Sequence, residues 1–422
     1  MKKVGIAILG LGTVGKGTYQ IITQNRENIL RKENLDLQII KVLEKSVEIA
    51  EQKGVPKEQI AQSIDDIVSN PDIDVVVEVI GGIEPAKTFI TKCLSAGKRV
   101  VTANKELLSK YWEELEETAQ KHNTGLYFEA SCLGGIPIIR ALVEGMQANN
   151  ITEIAGIFNG TTNYILTKMS EENISYEEAL RQAQQLGYAE ADPTSDVEGY
   201  DAMYKLKILS SLAFGKQIPL DCIYREGITK ITKTDIESGK ELGYTIKLLA
   251  IGRMYNDSLE VRVHPTFVPE KHPLANVRDS FNAAYLIGNY VGEVMLYGRG
   301  AGDLPTGSAI VSDIIYAAHQ EKPRYIKFDK LNGVKLVSDF QSKYYMVLNC
   351  ADKPGVLAQT AAVLGNNNVS IESVIQKGKC NDFARVVFLT HKTSELSMKK
   401  AINELKELKD VDSIESVIRV LD

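Results

Sequence analysis

The stretch VGIAILGLGTVG, running from Val4 to Gly15, decides the fold of the chain. A short apolar run, Val4–Leu9, ends in glycines, and helical spacing follows, with Val14, Tyr19, Ile22 and Ile29 predicting one helix from Val14 to Leu30. Gly10, Gly12 and Gly15 stand at G-x-G-x-x-G spacing. The first position needs a turn without a Cβ, the second lets backbone approach a pyrophosphate, and the third packs helix on strand. Any tight strand-helix turn could use the same glycines, so the hexapeptide alone is a weak signal. Its place between a strand and a helix makes a dinucleotide the better reading.

Working outward, strand-like runs follow at Leu37–Leu43, Val75–Ile80, Arg99–Thr102 and Gly125–Glu129, with helix-compatible segments between them. Val75–Ile80 is almost uninterrupted Val and Ile, as a parallel strand buried on both faces requires. The alternation predicts a doubly wound parallel sheet, an α/β Rossmann fold, up to about Pro137. Beyond it, longer helical stretches at Tyr176–Gln185 and Ala202–Phe214 and the β-branched segment Leu259–Val268 predict an α+β domain. His319–Lys343 is polar, lysine-rich and weakly periodic, and reads as a connection. The remainder runs strand Tyr344–Cys350, helix Val356–Leu364, strands Val369–Gln376 and Ala384–His391, helix Glu395–Leu408 and strand Ser413–Leu421. Within it S-I-E-S-V-I occurs twice, at Ser370–Ile375 and Ser413–Ile418, each time as the strand after a helix. Two such halves make a ferredoxin-like fold of four antiparallel strands under two helices. The expected division is a nucleotide-binding part at 1–137 with 300–320, an α+β part at 138–299, a linker at 321–342 and a ferredoxin-like part at 343–422.

The whole chain has 422 residues, 44% apolar and 25% charged, the profile of a soluble protein with several domains. A net charge of −6 disfavours nucleic acid as a partner, since phosphate backbones select basic surfaces. The five cysteines (Cys93, Cys132, Cys222, Cys350 and Cys380) are scattered and show no C-x-x-C spacing. Neither a disulfide frame nor a zinc site is indicated, and reduced, cytoplasmic thiols are the simpler expectation. Two lysines before an apolar run imitate a secretory leader, but glycines break that run and no A-x-A-type site follows. No apolar stretch approaches the roughly 18 residues needed to span a bilayer.

The richest constellation is GYAEADPTSDVEGYDAMYKLKIL, from Gly187 to Leu209, which gathers Glu190, Asp192, Asp196, Glu198, Asp201, Lys205 and Lys207. Asp201 and Lys205 stand four residues apart, so a helix puts them on one face. An exposed ion pair is the usual outcome of that spacing. Here the neighbours Ala202, Met203, Leu206, Ile208 and Leu209 are apolar, and the pair need not face water. In a cleft, an acid-lysine pair suits carbonyl reduction, because hydride arriving at carbon leaves negative charge on an oxygen that an ammonium can protonate. Spare acids suit a cationic substrate group. The end of the second strand, Lys41-Val42-Leu43-Glu44-Lys45, carries both signs and leaves NAD and NADP equally open.

With these residues the chain resembles the homoserine dehydrogenase family, in its longer form with a C-terminal ACT regulatory domain. The resemblance spans nearly the whole chain. Besides the glycine loop and the acidic helix it rests on I-G-G at Ile80–Gly82, VTANK at Val101–Lys105, EASCLGGIP at Glu129–Pro137, NGTTNYIL at Asn159–Leu166 and GRGAGDLPTGSA at Gly298–Ala309. Such enzymes interconvert aspartate semialdehyde and homoserine with NAD(P)H, on the way to threonine, methionine and isoleucine. The resemblance implies that Lys205 protonates the nascent alkoxide, with Lys105 a second lysine beside nicotinamide and substrate, and that Glu190 and Asp201 bind the substrate. It implies cofactor contacts at Gly10, Gly12, Thr13, Val14, Gly15, Thr102, Lys105, Gly187 and Gly302. It also implies a sodium site of Glu129 with the main-chain carbonyls of Cys132, Gly134 and Ile136. Members that prefer NADP often carry an arginine where this chain has Leu43.

The segment A-D-K-P-G-V-L-A, from Ala351 to Ala358, resembles the ACT ligand loop, with Asp352 and Gly355 at a helix N-terminus. An amino-acid effector fits there, threonine first, although a helix cap with a proline-glycine turn explains the letters equally well. A homodimer or homotetramer is expected. Two rivals stay open: a catalytically silent, nucleotide-binding amino-acid sensor, and a semialdehyde dehydrogenase using Cys132 as a thioester-forming nucleophile.

Overall fold

In the computed structural model, which describes residues 1–331, 333–380 and 383–421, strands β1 (Lys2–Leu9), β2 (Leu35–Leu43), β3 (Val75–Glu78), β4 (Arg99–Thr102) and β5 (Leu126–Tyr127) form one parallel sheet. Their order, β2-β1-β3-β4-β5, reverses direction between β1 and β3, and there the carboxyl ends of the strands open a crevice. All four residues of β3 are buried, as its Val-rich sequence predicts. The helix expected over Val14–Leu30 is two, Thr13–Gln24 and Arg26–Glu33. Asn25 ends the first, with its N–H on the Ile21 carbonyl, and starts the second. Helix Asp303–His319 returns from far along the chain to lie on Thr13–Gln24, where Gly17 and Gly307 let the two backbones touch.

The rest of the chain builds a second, mixed sheet. Its first half has β6 (Ile151–Ile157), β7 (Tyr224–Arg225), β8 (Tyr244–Tyr255), β9 (Ser258–Pro269), β10 (Phe281–Gly288) and β11 (Gly292–Arg299). Helices Gly160–Glu172, Tyr200–Phe214 and Lys233–Glu241 pack on it. The stretch read as a connection carries β12 (Lys335–Leu336), which pairs with β9, and lays Phe328 edge-on to Trp112 at 4.7 Å. It therefore runs over the other elements instead of hanging free.

The C-terminal part contributes β13 (Gln341–Ala351), β14 (Ile371–Cys380), β15 (Phe383–Thr390), β16 (Thr393–Ser394) and β17 (Val411–Val420). The order β17-β13-β15-β14, with helices Val356–Asn366 and Glu395–Lys406 packed together, is the expected ferredoxin-like arrangement. The copies of S-I-E-S-V-I fall on the two flanking strands of this four-stranded unit, the first from Ile371 onward in β14 and the second within β17. Sequence patterning does not announce what joins the two halves: β17 pairs in parallel with β9, Arg419 opposite Thr266 and Val420 opposite Phe267, so the two sheets are continuous. Buried Arg419 secures the seam. It donates to Glu395 at 2.7 and 3.0 Å within its own domain, and to Glu226 and the Tyr224 hydroxyl, both at 2.8 Å, across the seam. Among the described residues no helix is long and apolar enough to cross a membrane. Cys93, Cys132, Cys222 and Cys350 are free, and the side chain of Cys380 lies outside the described residues.

Candidate active site

The crevice at the β1/β3 reversal begins with the glycine loop. Gly10 adopts φ +94°, a left-handed conformation, and a Cβ on Gly15 would stand 2.0 Å from the Gly10 carbonyl oxygen. Nothing lies within 4 Å of where Gly12 would carry a Cβ, and no side chain caps helix Thr13–Gln24 at Gly12. An open, uncapped helix N-terminus over glycine fits a pyrophosphate. At the end of β2, Glu44 turns its carboxylate back to the loop, accepting from Leu11 N at 2.6 Å and Lys45 N at 2.9 Å.

Across the crevice stands Glu78, a residue that its strand pattern conceals. Fully buried, it accepts from Ile80 N at 2.8 Å, Gly81 N at 3.3 Å and the Thr102 hydroxyl at 2.6 Å. Burial raises its pKa against the pull of those donors. Thr102 Oγ1 accepts from Asn104 N at 3.0 Å, and Asn104 caps helix Lys105–Lys121 while donating to the Gly82 carbonyl at 2.7 Å. Glu78 thereby fixes the I-G-G turn and the start of the helix that carries Lys105.

Helix Tyr200–Phe214 starts after Gly199 and buries Asp201 and Lys205 on its inner face, as the apolar neighbours predict. Lys205 Nζ donates to Asp201 Oδ2 at 2.6 Å and to the Phe158 carbonyl at 2.8 Å. Lys105 Nζ reaches Asp201 Oδ1 at 3.2 Å from the nucleotide side. One carboxylate thus joins both lysines. Burial works to raise the Asp201 pKa, but the two ammonium groups overcome it and hold the carboxyl well below its ordinary range. The Asp201 charge in turn raises the Lys105 pKa against burial. Asn159 Nδ2 donates to both Asp201 Oδ2, at 2.8 Å, and Asp196 Oδ1, at 2.6 Å.

The remaining residues picked out in the sequence fall around this centre or away from it. Glu190 is exposed on the loop that follows Gly187 and is not joined to Asp201; its main-chain carbonyl accepts from Gln184 at 3.1 Å. Gly187 (φ +74°) and Gly302 (φ +125°) are exposed, and Gly302 begins helix Asp303–His319. Leu133 and Gly134 both take left-handed conformations, and Gly135 N donates to the Arg299 carbonyl at 3.1 Å, so this loop rests on the GRGAG segment. Among the described residues no hydrogen bond reaches the carbonyl oxygens of Cys132 or Gly134, whereas that of Ile136 accepts from Ile138 N at 2.8 Å. Those carbonyls suit a hard monovalent cation. The Glu129 carboxylate, in contrast, is taken up by Ile139 N and Arg140 N, both at 2.8 Å. The Cys132 thiol is fully buried, and that burial pushes it up to about 12, the opposite of the shift a thiolate nucleophile needs. In the C-terminal domain Gly355 (φ +89°) stands at the N-terminus of helix Val356–Asn366 with no side-chain cap, and Asp352 accepts from Gln376 at 3.2 Å.

Comparison with known proteins agrees with this geometry. Residues 137–315 match the family model described as homoserine dehydrogenase, residues 10–129 the one for its NAD binding domain, and residues 344–410 the ACT domain. The homoserine dehydrogenase of Bacillus subtilis is 40% identical over 433 residues, covering 100% of this chain and 99% of its own. A crystal structure of a homoserine dehydrogenase from Thiobacillus denitrificans superposes with a TM-score of 0.93 at 38% identity, over 100% of this chain and 99% of that one. A hyperthermophilic archaeal homoserine dehydrogenase in complex with NADPH covers 75% of this chain and 98% of its own, at 31% identity and a TM-score of 0.64. A nucleotide crevice, a lysine pair bridged by one buried aspartate and matches along almost the full length lead to one conclusion: the chain belongs to the homoserine dehydrogenase family, in the form that carries an ACT domain.

Proposed function

We propose that this chain reversibly reduces L-aspartate 4-semialdehyde to L-homoserine, with Lys205 as the proton donor. The observation that carries the reading is Asp201, buried and shared between Lys205 and Lys105. The glycine loop and the N-terminus of helix Thr13–Gln24 would hold the nicotinamide dinucleotide, whose reduced form would supply the hydride for reduction and whose oxidised form would accept it in homoserine oxidation. As charge develops on the carbonyl oxygen, Lys205 Nζ gives it a proton, and in homoserine oxidation it takes the proton back. Lys105, reaching Asp201 from the nucleotide side, would stand beside nicotinamide and substrate and place a second positive charge near the developing oxyanion. Asp201 holds both ammonium groups in place. Glu190, on its exposed loop, takes the substrate ammonium once Gly187 and Gly302 close over the dinucleotide. Thr13 and Val14, in the first turn after Gly12, and Thr102, held by Glu78, complete the cofactor contacts.

The reading extends to regulation and assembly. The carbonyls of Cys132, Gly134 and Ile136, with Glu129 behind them, hold a sodium ion. Asp352 and Gly355 take the ammonium and carboxylate of an amino-acid effector, threonine first, and the sheet shared through β9 and β17 gives the ACT domain a rigid connection to the catalytic half. The units are 1–137 with 300–320, 138–299 and 343–422, and the active form is a cytoplasmic homodimer or homotetramer. The test is nicotinamide absorbance with L-homoserine at alkaline pH, offering NAD and NADP separately, each with and without L-threonine. Turnover is expected, and the faster cofactor is the preferred one. No turnover with either, in folded protein, would reject the reading in favour of a silent amino-acid sensor.

A further inference from the structure

Asn159 precedes helix Gly160–Glu172, and every hydrogen-bonding position of its amide is occupied. Oδ1 accepts from Thr162 N at 2.8 Å and from the Thr162 hydroxyl at 3.0 Å; Nδ2 donates to Asp196 at 2.6 Å and to Asp201 at 2.8 Å. The side chain is 4% exposed. This pattern fixes which way the amide points. Turned over, its oxygen would face two carboxylates and its nitrogen a backbone N–H, making three of the four contacts repulsive and leaving only the Thr162 hydroxyl able to adapt.

The two halves of the amide serve different ends. Capping the helix needs only the oxygen, and Asp or Ser caps as well as Asn. The nitrogen is needed by the carboxylates. Asp196 and Asp201 come from different segments, one at the short turn Thr194–Val197 and one on the long helix, and like charges brought this close repel. Burial raises the Asp196 pKa first and the Asp201 charge adds to it, while the Asn159 hydrogen bond works against both. Asp201 Oδ2 receives Lys205 Nζ and Asn159 Nδ2 together, so the amide also determines where that oxygen sits relative to the lysine.

We propose that Asn159 is a positioning residue of the reaction: it ties Asp196 to Asp201 and so holds Asp201 in register with Lys205 and Lys105. The charged groups around it are those two carboxylates and those two lysines. The proposal rests on Lys205 being the proton donor, which turnover of the parent protein and loss of turnover in Lys205→Met establish separately.

The experiment compares full-length Asn159→Ser and Asn159→Asp with the parent in homoserine oxidation across pH. Both variants keep an N-cap acceptor. Asn159→Ser loses the bridging N–H and is expected to lose about 10- to 100-fold in kcat, the scale of a displaced catalytic group. Asn159→Asp replaces a donor with a third anion, which holds protons on the neighbouring ammonium groups more tightly. Its alkaline limb should therefore move to higher pH, by at least about half a unit. A residue that only caps the helix predicts kcat within about twofold and an unmoved pH profile in Asn159→Ser, whatever happens to its melting temperature, and that result overturns the proposal. If the aspartate variant does not fold, the serine variant decides alone.

Discussion

Replacing Lys205 by Met removes one ammonium and keeps most of the stem, so the consequences can be worked from the contacts of a single atom. Lys205 Nζ has two partners, Asp201 Oδ2 and the Phe158 carbonyl, and its side chain is 9% exposed. If Nζ is the proton donor, its loss raises the barrier by roughly 3–5 kcal/mol, a fall of about 10²–10⁴ in kcat. Stability falls as well. Breaking a buried pair by removing one partner costs about 3–5 kcal/mol, because the other charge is left behind. Asp201 keeps Lys105 at 3.2 Å and Asn159 at 2.8 Å, which places the cost near the lower end, about 3 kcal/mol. Asp201→Asn has the converse effect and leaves Lys205 with a carbonyl alone. Removing both charges together, in Asp201→Asn with Lys205→Met, leaves neither ion of this pair unmatched. The double variant should be more stable than the sum of the single changes predicts by at least about 1 kcal/mol, while remaining inactive. Urea unfolding of the four proteins gives the coupling, and nicotinamide absorbance with L-homoserine gives kcat. A kcat for Lys205→Met within about threefold of the parent removes Lys205 from the chemistry, and strictly additive stabilities refute the buried-pair argument.

Glu116 offers a pH test of the interior. It accepts from Ile326 N at 2.8 Å, and burial pushes its carboxyl from 4.5 up to about 7. The folded protein therefore keeps a proton that the unfolded chain releases, and stability falls as pH rises from about 4.5 to about 7. Glu116→Gln should match the parent at about pH 4 and exceed it by up to about 3 kcal/mol at about pH 8; equal urea midpoints at the higher pH would contradict this. At the nucleotide loop, a methyl group in Gly15→Ala would meet the Gly10 carbonyl at 2.0 Å. Fluorescence titration should show NADPH affinity lost or reduced by at least about tenfold, and parent-like affinity would remove the loop from the cofactor site.

Local signals were sufficient for Asp201 and Lys205. Spacing of four set them on one helix face, and Ala202, Met203, Leu206 and Leu209, all buried, show that the face turns inward. The glycine loop and the ferredoxin-like half were equally legible, one from a turn that only glycine permits and the other from an internal repeat. Glu78 was not. Its valine neighbours read as one strand to Ile80, yet the strand ends at Glu78, and the partner that explains it, Thr102, is 24 residues away. Asn25 shows the opposite error: Ile22 and Ile29 look like one apolar stripe but belong to two helices, because periodicity registers a buried face and not the break between two segments sharing it. Lys105 and Glu190 were picked out through family resemblance alone; Lys105 reaches Asp201 at 3.2 Å, whereas Glu190 is exposed and apart from it. The β9–β17 pairing joins residues more than a hundred positions apart, where no pattern within either strand names the other.

The arrangement also explains why one aspartate serves two lysines. Asp201 sets one carboxylate against two ammonium groups, so these three carry one uncompensated positive charge, with Asp201 and Lys205 buried and Lys105 partly open to solvent. Burial and the Asp201 charge raise the Asp196 pKa, while the Asn159 amide and the two lysines pull it down. Hydride transfer to a carbonyl creates one negative charge on oxygen. A site already holding a matching excess of positive charge need not recruit ions or reorient water when that charge appears, and electrostatic stabilisation is strongest where donors are in place beforehand. A second full carboxylate at Lys205 would cancel this excess and hold its proton back. In the proposed reaction, the bridging of both lysines by Asp201, with Asp196 held on the same Asn159 amide nitrogen, favours the alkoxide over the ground-state carbonyl.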